Sequence, residues 1–140
     1  MKTALILFAH GARDPEWAGS MRRVQAAIRL RAPGVFVEMA FLEFMAPDLP
    51  ACAAKLVADG VGKIIVLPMF IARGGHLKRE LPEMLGVLRS THKNVEFLLG
   101  EPIGESEAVV QAMAHVACEI VQTALQDSQA STVNLKNPLF

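Results

Sequence analysis

Four short apolar runs alternating with helix-period stretches predict an α/β fold, a three-layer sandwich on a four-stranded parallel sheet. Three observations carry that prediction. The runs at residues 3–9, 35–43, 63–71 and 94–100 are of strand length and close to continuously apolar, as strands covered on both faces are. Each is followed by a stretch with apolar residues every three or four positions, which gives the connections helical crossovers and hence parallel pairing. At 140 residues and 52% apolar, the chain has enough material for one core covered on two sides.

The first strand stops at His10-Gly11, and Asp14-Pro15 then reads as a helix cap and first helical position. Residues 15–31 carry Trp17, Met21, Val24 and Ile28 at spacings of four, three and four, an amphipathic stripe ended by Ala32-Pro33-Gly34. The second strand is expected to finish at Glu43. A second helix starts near Pro47-Asp48 and runs to Asp59-Gly60, with Leu49, Cys52 and Leu56 inward. Pro68 cannot donate to a ladder and should close the third strand. A loop at residues 72–75 leads to a helix from His76 to about Ser90, in which Pro82 must lie in the first turn or bend the axis. After the fourth strand, Ser106-Glu107 opens a last helix with Val109, Met113, Val116, Ile120 and Leu125 expected inward. Residues 1–126 are thus expected to form one domain, and 127–140, which show no period, a disordered tail.

Bulk properties narrow the function. Fourteen basic residues balance fourteen acidic ones with no basic stripe, which argues against nucleic acid as a partner. No GxGxxG follows the first strand and no GxxxxGK[ST] occurs, so a nucleotide would lack its phosphate cradle. Cys52 and Cys118 lack CxxC or His spacing and read as reduced core residues. The N-terminal apolar run is too short to span a membrane and has no cleavage-site pattern, so a cytoplasmic protein with no membrane partner is expected.

In a parallel sheet every strand-to-helix turn opens on one edge, where ligands bind. That edge should gather His10, Glu43, the loop from Pro68 to His76, and Glu101. Two imidazoles and a carboxylate are the minimum set for a divalent transition metal. No two of His10, Glu43 and His76 are adjacent in sequence, so this reading rests on the fold rather than on a spacing motif. Gly74 and Gly75 allow close backbone approach, and Arg73, Lys78 and Arg79 surround His76 with positive charge suited to an anionic substrate. Three cations at a helix start oppose the macrodipole, a pattern more fitting to binding than to stability. Phe44, Met45, Met69 and Phe70 follow strands and serve either as core or as an apolar floor for a flat ring. His92 and His115 fall on the opposite edge and mid-helix and are set aside.

His10-Gly-Ala-Arg-Asp-Pro15, Phe41-Leu-Glu43 followed by Pro47, and the stretch from Val66 to Pro82 together resemble the small, single-domain CbiX-type sirohydrochlorin chelatases. The likeness runs from the first strand to about residue 122. It implies a chelatase-like half-domain and a class II chelatase, a lyase that inserts cobalt or ferrous iron, with nickel a third candidate, into sirohydrochlorin without ATP or an organic cofactor. It further implies metal binding at His10 and His76, a third ligand at Glu43, a homodimer, and a place in cobalamin- or siroheme-type tetrapyrrole biosynthesis. Ala12 departs from the commoner serine and Glu80 from the usual aspartate.

Sirohydrochlorin is a polycarboxylate with an apolar ring, which fits cations around an apolar floor; Arg13, Arg73, Lys78 and Arg79 are the candidate carboxylate partners. A metal held by two or three protein ligands keeps open positions for the pyrrole nitrogens. Imidazole titrates near neutrality, so His10 or His76 could also accept a pyrrole proton. Two alternatives remain: a metal or tetrapyrrole carrier that does not catalyse, and phosphoryl transfer through His10, for which Ala9 stands where histidine phosphatases have arginine.

Overall fold

The computed structural model of the chain describes residues 1–127 except Arg73 and the side chain of His76. Those residues form two compact units, the first Met1–Ile103 and the second beginning at Gly104.

In the first unit, β1 (Lys2–Ala9), β2 (Val35–Phe41), β3 (Val61–Pro68) and β4 (Glu96–Leu99) make a parallel sheet in the order β2-β1-β3-β4. β1 is therefore central, with Leu5 opposite Val37 on one side and Ile65 on the other. Its alternate residues serve two cores, which explains the unbroken apolar run from Ala4 to Ala9. Ala4, Ile6 and Phe8 face α2 (Leu49–Ala58) and α3 (Gly75–Thr91), packing with Ile64, Val66, Phe97, Leu56, Leu81 and Leu85. Leu7 and Ala9 face the other way, with Val37, Met39 and Phe41, against Met21, Val24 and Ile28 of α1 (Gly19–Arg31). The three layers are those expected.

The element ends differ from expectation in instructive ways. Asp14 does cap with Pro15 next in line, its Oδ1 accepting from the Glu16 N–H at 3.0 Å, but Pro15–Ala18 wind as a 3₁₀ turn before α1. That tighter turn takes Trp17 off the stripe and leaves it 42% exposed. Asp48 caps α2 by accepting from Ala51 N–H at 2.9 Å. β2 ends at Phe41, two residues before Glu43, and Pro68 closes β3 as expected. Pro82 stands inside α3, beyond its first turn.

Both outer strands have a carbonyl claimed by an arginine of the preceding helix. Arg29 Nη2 donates to Val37 O at 2.8 Å, joined by Gln25 Nε2 at 2.8 Å, and Arg89 Nη2 donates to Phe97 O at 2.8 Å. An edge acceptor bonded in this way is not available to an added strand.

The second unit contains α4 (Glu107–Gln126). None of its residues is buried, contrary to the inward set expected at Val109, Met113, Val116, Ile120 and Leu125. Cys118 lies there and is exposed, not a core residue, whereas Cys52 is buried; both are free thiols. The proposed tail falls, from residue 128 on, outside the described residues.

Candidate functional site

The carboxyl end of β1 is where His10 leaves the sheet, and its position is fixed through the backbone. Two main-chain bonds follow the end of β2: Leu42 N–H donates to Ala9 O at 2.8 Å, and Glu43 N–H to His10 O at 2.9 Å. This brings the His10 and Glu43 main chains side by side, although 33 positions separate them in sequence. Gly11 makes the approach possible. Its φ is +89°, and a Cβ there would collide with the Glu43 carbonyl oxygen.

The His10 ring is held from below by Phe70, with centroids 4.3 Å apart and planes tilted by 33°. Phe70 is buried and is itself 6.0 Å from Phe8 in the core, so the imidazole stands on a rigid aromatic base while remaining exposed. Phe70 thus belongs to the core and to the site at once.

Phe44 is the main-chain exception of this edge. It has φ +64°, uncommon for a bulky residue, and is 58% exposed. Arg13 lies over its ring, with Cζ 4.9 Å from the centroid. The cation and the aromatic side chain, which come from two different loops, therefore meet. Met45 and Met69 are half-buried and pack on the α1-side core, so they lie beneath the surface rather than open to it.

The β3–α3 loop supplies the remaining candidates. Gly74 is the N-cap of α3, with no side-chain capping bond, and the first turn contains no acidic residue. Gly75, Lys78 and Arg79 are exposed there. His76 is the second residue of α3; its side chain, like the whole of Arg73, lies outside the described residues. Among the described residues no three of His, Cys, Asp and Glu come close enough to hold a metal ion. His10 and Glu43, both exposed, are the described members of the expected ligand set.

An open pocket of about 520 Å³ lies along the start of α3, lined by Gly75, Arg79, Glu80 and Glu83. Glu83 is not among the site candidates from sequence. Helical spacing was the available signal, since positions 76, 80 and 83 share one face of α3. Another cavity, of about 310 Å³, runs along the outer edge of β2 and includes Arg22, Glu38, Cys52 and Lys55. It reaches the end of β2 at Phe41 but contains no histidine, so we do not assign it to the same chemistry.

Comparison with known proteins identifies the family and agrees with the fold. Residues 4–120 match the family model described as CbiX. A sirohydrochlorin cobaltochelatase of Sulfurisphaera tokodaii is 32% identical over 120 residues, covering 86% of this chain and 95% of that protein. One from Saccharolobus islandicus is 31% identical over 115 residues, covering 78% and 88%. Among solved structures, a cobalamin (vitamin B12) biosynthesis CbiX protein from Marinobacter aquaeolei superposes with a TM-score of 0.76 at 27% identity, over 86% of this chain and 98% of that one. The sirohydrochlorin chelatase SirB from Bacillus subtilis subspecies spizizenii, in complex with cobalt, gives 0.73 at 26% identity, over 86% of this chain and 51% of its own.

Proposed function

The chain belongs to the CbiX family, and we propose that the carboxyl edge of its sheet is the place where it inserts a divalent metal ion into sirohydrochlorin. It is an enzyme, a chelatase of the lyase class. The observation that carries the site is the pairing of His10 O with Glu43 N–H, which brings a candidate nitrogen ligand and a candidate oxygen ligand together at the end of the central strand.

In this reading His10, His76 and Glu43 hold the incoming metal, cobalt or ferrous iron, with nickel as a weaker candidate. Three protein ligands leave coordination positions open, so pyrrole nitrogens replace protein ligands stepwise. Insertion exchanges two pyrrole protons for one metal ion. A histidine released from the metal accepts one of them, and the other passes to solvent water. No ATP or organic cofactor is needed, because the macrocycle's nitrogens supply the driving force. Arg13, Arg73, Lys78 and Arg79 receive the substrate's carboxylates, and the uncapped start of α3, positive by its dipole, favours the same charge. Phe44 offers a face to the ring, with Gly74 and Gly75 permitting close approach. Met45, Met69 and Phe70 support that surface from beneath.

The chain acts as a homodimer in the cytoplasm, with neither nucleic acid nor membrane as partner, and its product enters cobalamin- or siroheme-type synthesis. Metal-dependent conversion of sirohydrochlorin, followed by absorbance across cobalt, iron and nickel, tests the activity. Turnover beyond one equivalent per site is expected and excludes a stoichiometric carrier. His10→Ala and His76→Ala should each reduce the rate to the spontaneous one; wild-type rates in both would overturn the site.

A further inference from the structure

Arg13 is an exposed cation held by a ring rather than by an acid. Its Cζ lies 4.9 Å from the centroid of Phe44, while the ion pairs among the described residues, Arg29–Glu38 and Lys63–Glu96, do not include it. Neighbouring Asp14 is engaged elsewhere, its Oδ1 accepting from Glu16 N–H at 3.0 Å. We propose that Phe44 is a positioning residue for Arg13: its ring keeps the guanidinium in place without neutralising it, so that the charge and the N–H donors stay open to a carboxylate of the substrate. The inference rests on the reading of Arg13 as a partner of that carboxylate.

The backbone shows that the ring is placed deliberately. Met45 N–H donates to Glu43 O, two residues back, at 2.8 Å, and with φ +64° at Phe44 between them this is the rare, strained hand of a three-residue turn. A bulky side chain persists in such a conformation only where its surroundings over-determine it. Here they do. Glu43 N–H is bonded to His10 O at 2.9 Å, Glu43 O lies so near Gly11 that a Cβ there would collide with it, and Phe41 N–H closes the loop onto Pro47 O at 2.9 Å. The ring at the apex is 58% exposed, so burial does not account for an aromatic residue at this position. The contact with Arg13 does.

An acidic anchor would also fix Arg13, and the chemistry explains why a ring serves better. A carboxylate at ion-pair distance takes up the guanidinium donors and cancels the charge, so a substrate carboxylate would first have to displace it. A ring engages the cation through its quadrupole and leaves the donors free. Glu43 is the acid next to Phe44 in the chain, and pairing with Arg13 would take its oxygens away from an incoming metal ion. Holding the guanidinium on Phe44 keeps both groups available, Arg13 for an anion and Glu43 for a cation. A leucine at position 44 keeps an apolar contact for the macrocycle but has no quadrupole, so it separates the two roles of the ring.

Absorbance titration with sirohydrochlorin in the absence of metal, and steady-state insertion of cobalt, test this on the full chain. Phe44→Leu should weaken binding about fivefold, the size of one partly exposed cation–π contact, and raise KM by the same factor with kcat within about twofold. Phe44→Tyr should restore both. In an Arg13→Ala background, Phe44→Leu should change binding by less than about twofold, because the ring acts through the guanidinium. Phe44→Gly should also weaken binding yet leave the melting temperature unchanged or higher, since glycine adopts the positive φ without strain. Three results would overturn the proposal: wild-type affinity in Phe44→Leu, an equal loss in both backgrounds, which makes the ring a direct contact, or a markedly lower melting temperature in Phe44→Gly, which makes it a structural one. A wild type that binds sirohydrochlorin without turnover refutes the chelatase reading alone, because the binding cycle still decides the role of Phe44; one that does not bind refutes both.

Discussion

The two ends of the sheet are built on different plans. At the amino end, the turns entering β2 and β4 are copies of each other. Ala32 and His92 occupy the same backbone region (φ −132°, ψ 67° and φ −121°, ψ 72°), and their N–H groups close the helices onto Ile28 O and Leu88 O at 2.8 and 2.9 Å. Val35 and Val95 then bond back to them at 3.0 Å, and Arg29 and Arg89 each reach eight residues ahead to an edge carbonyl. At the carboxyl end no two turns agree: one needs Gly11 at φ +89°, another holds Phe44 at φ +64°, and the third enters α3 through Gly74. The third amino-end turn, which enters β3 through Gly60 at φ +90°, stands apart from that pair. Repetition is thus confined to the turns that close the two edge strands, while the carboxyl end, where the proposed site lies, has none.

The sharpest way to break that comparison is to place the same substitution at both ends. Gly11→Ala forces an L side chain into a left-handed conformation and against the Glu43 carbonyl, which should cost about 3 kcal/mol from strain and overlap combined. Displacing the His10 and Glu43 main chains should also reduce chelation about a hundredfold, since misplacement by an ångström is enough. Gly34→Ala, at the amino end, meets nothing within 4 Å and should leave chelation unchanged and stability within about 0.5 kcal/mol. Thermal unfolding and initial rates on the two variants measure both effects; equal rates would show that the carboxyl end is not specially constrained.

That asymmetry also governs how much could be read from the sequence. The four strands were legible because continuous apolar runs are what double burial produces, and the layers followed from alternation. His10 and Glu43 were legible as polar residues at strand ends. The exact stop of β2 was not, because Leu42 and Glu43 keep isolated main-chain bonds to Ala9 and His10 after regular pairing has ended. The Arg13–Phe44 contact depends on one residue's positive φ, which no residue pattern announces for phenylalanine. The bonds of Arg29 to Val37 O and Arg89 to Phe97 O share one sequence offset, but an arginine on a helix carries no sign of which strand carbonyl it will reach. The stripe on α4 showed that a face is apolar but could not name what covers it.

Cys52 probes the scaffold without touching the site. Burial pushes its thiol up to about 11 from an ordinary 9.0, with nearby Glu38 adding to the rise and Lys55 opposing it. The folded state therefore holds the thiol proton more tightly than the unfolded chain. The associated stability is fully present below pH 9 and is lost as pH rises toward 11, amounting to about 2–3 kcal/mol by linkage. Denaturant midpoints measured from pH 8 to 11 should fall more steeply for wild type than for Cys52→Ala, which loses about 1 kcal/mol of packing at every pH. At neutral pH, iodoacetamide should modify Cys118 and spare Cys52, because a buried protonated thiol is neither accessible nor nucleophilic. Parallel pH profiles would assign the alkaline loss to other groups.

The smallest effects test whether the two amino-end turns are equivalent in energy as well as in shape. Arg29→Ala and Arg89→Ala each remove a charge-assisted bond to an edge carbonyl that water can partly replace, so each should cost about 1 kcal/mol. Gln25 also bonds to Val37 O at 2.8 Å, whereas Arg89 supplies both the bonds to Phe97 O, through Nη2 at 2.8 Å and Nε at 3.3 Å. Arg89→Ala should accordingly be the costlier by a few tenths of a kcal/mol. The sites are on opposite edges of the sheet and share no partner, so the double variant should show the sum. Chelation should be untouched in all three, and light scattering on warming should rise, because the freed edges can recruit strands from other molecules. A loss of activity in Arg29→Ala at unchanged stability would mean that the amino end communicates with the carboxyl end, and the division between a closing end and a working end would have to be given up.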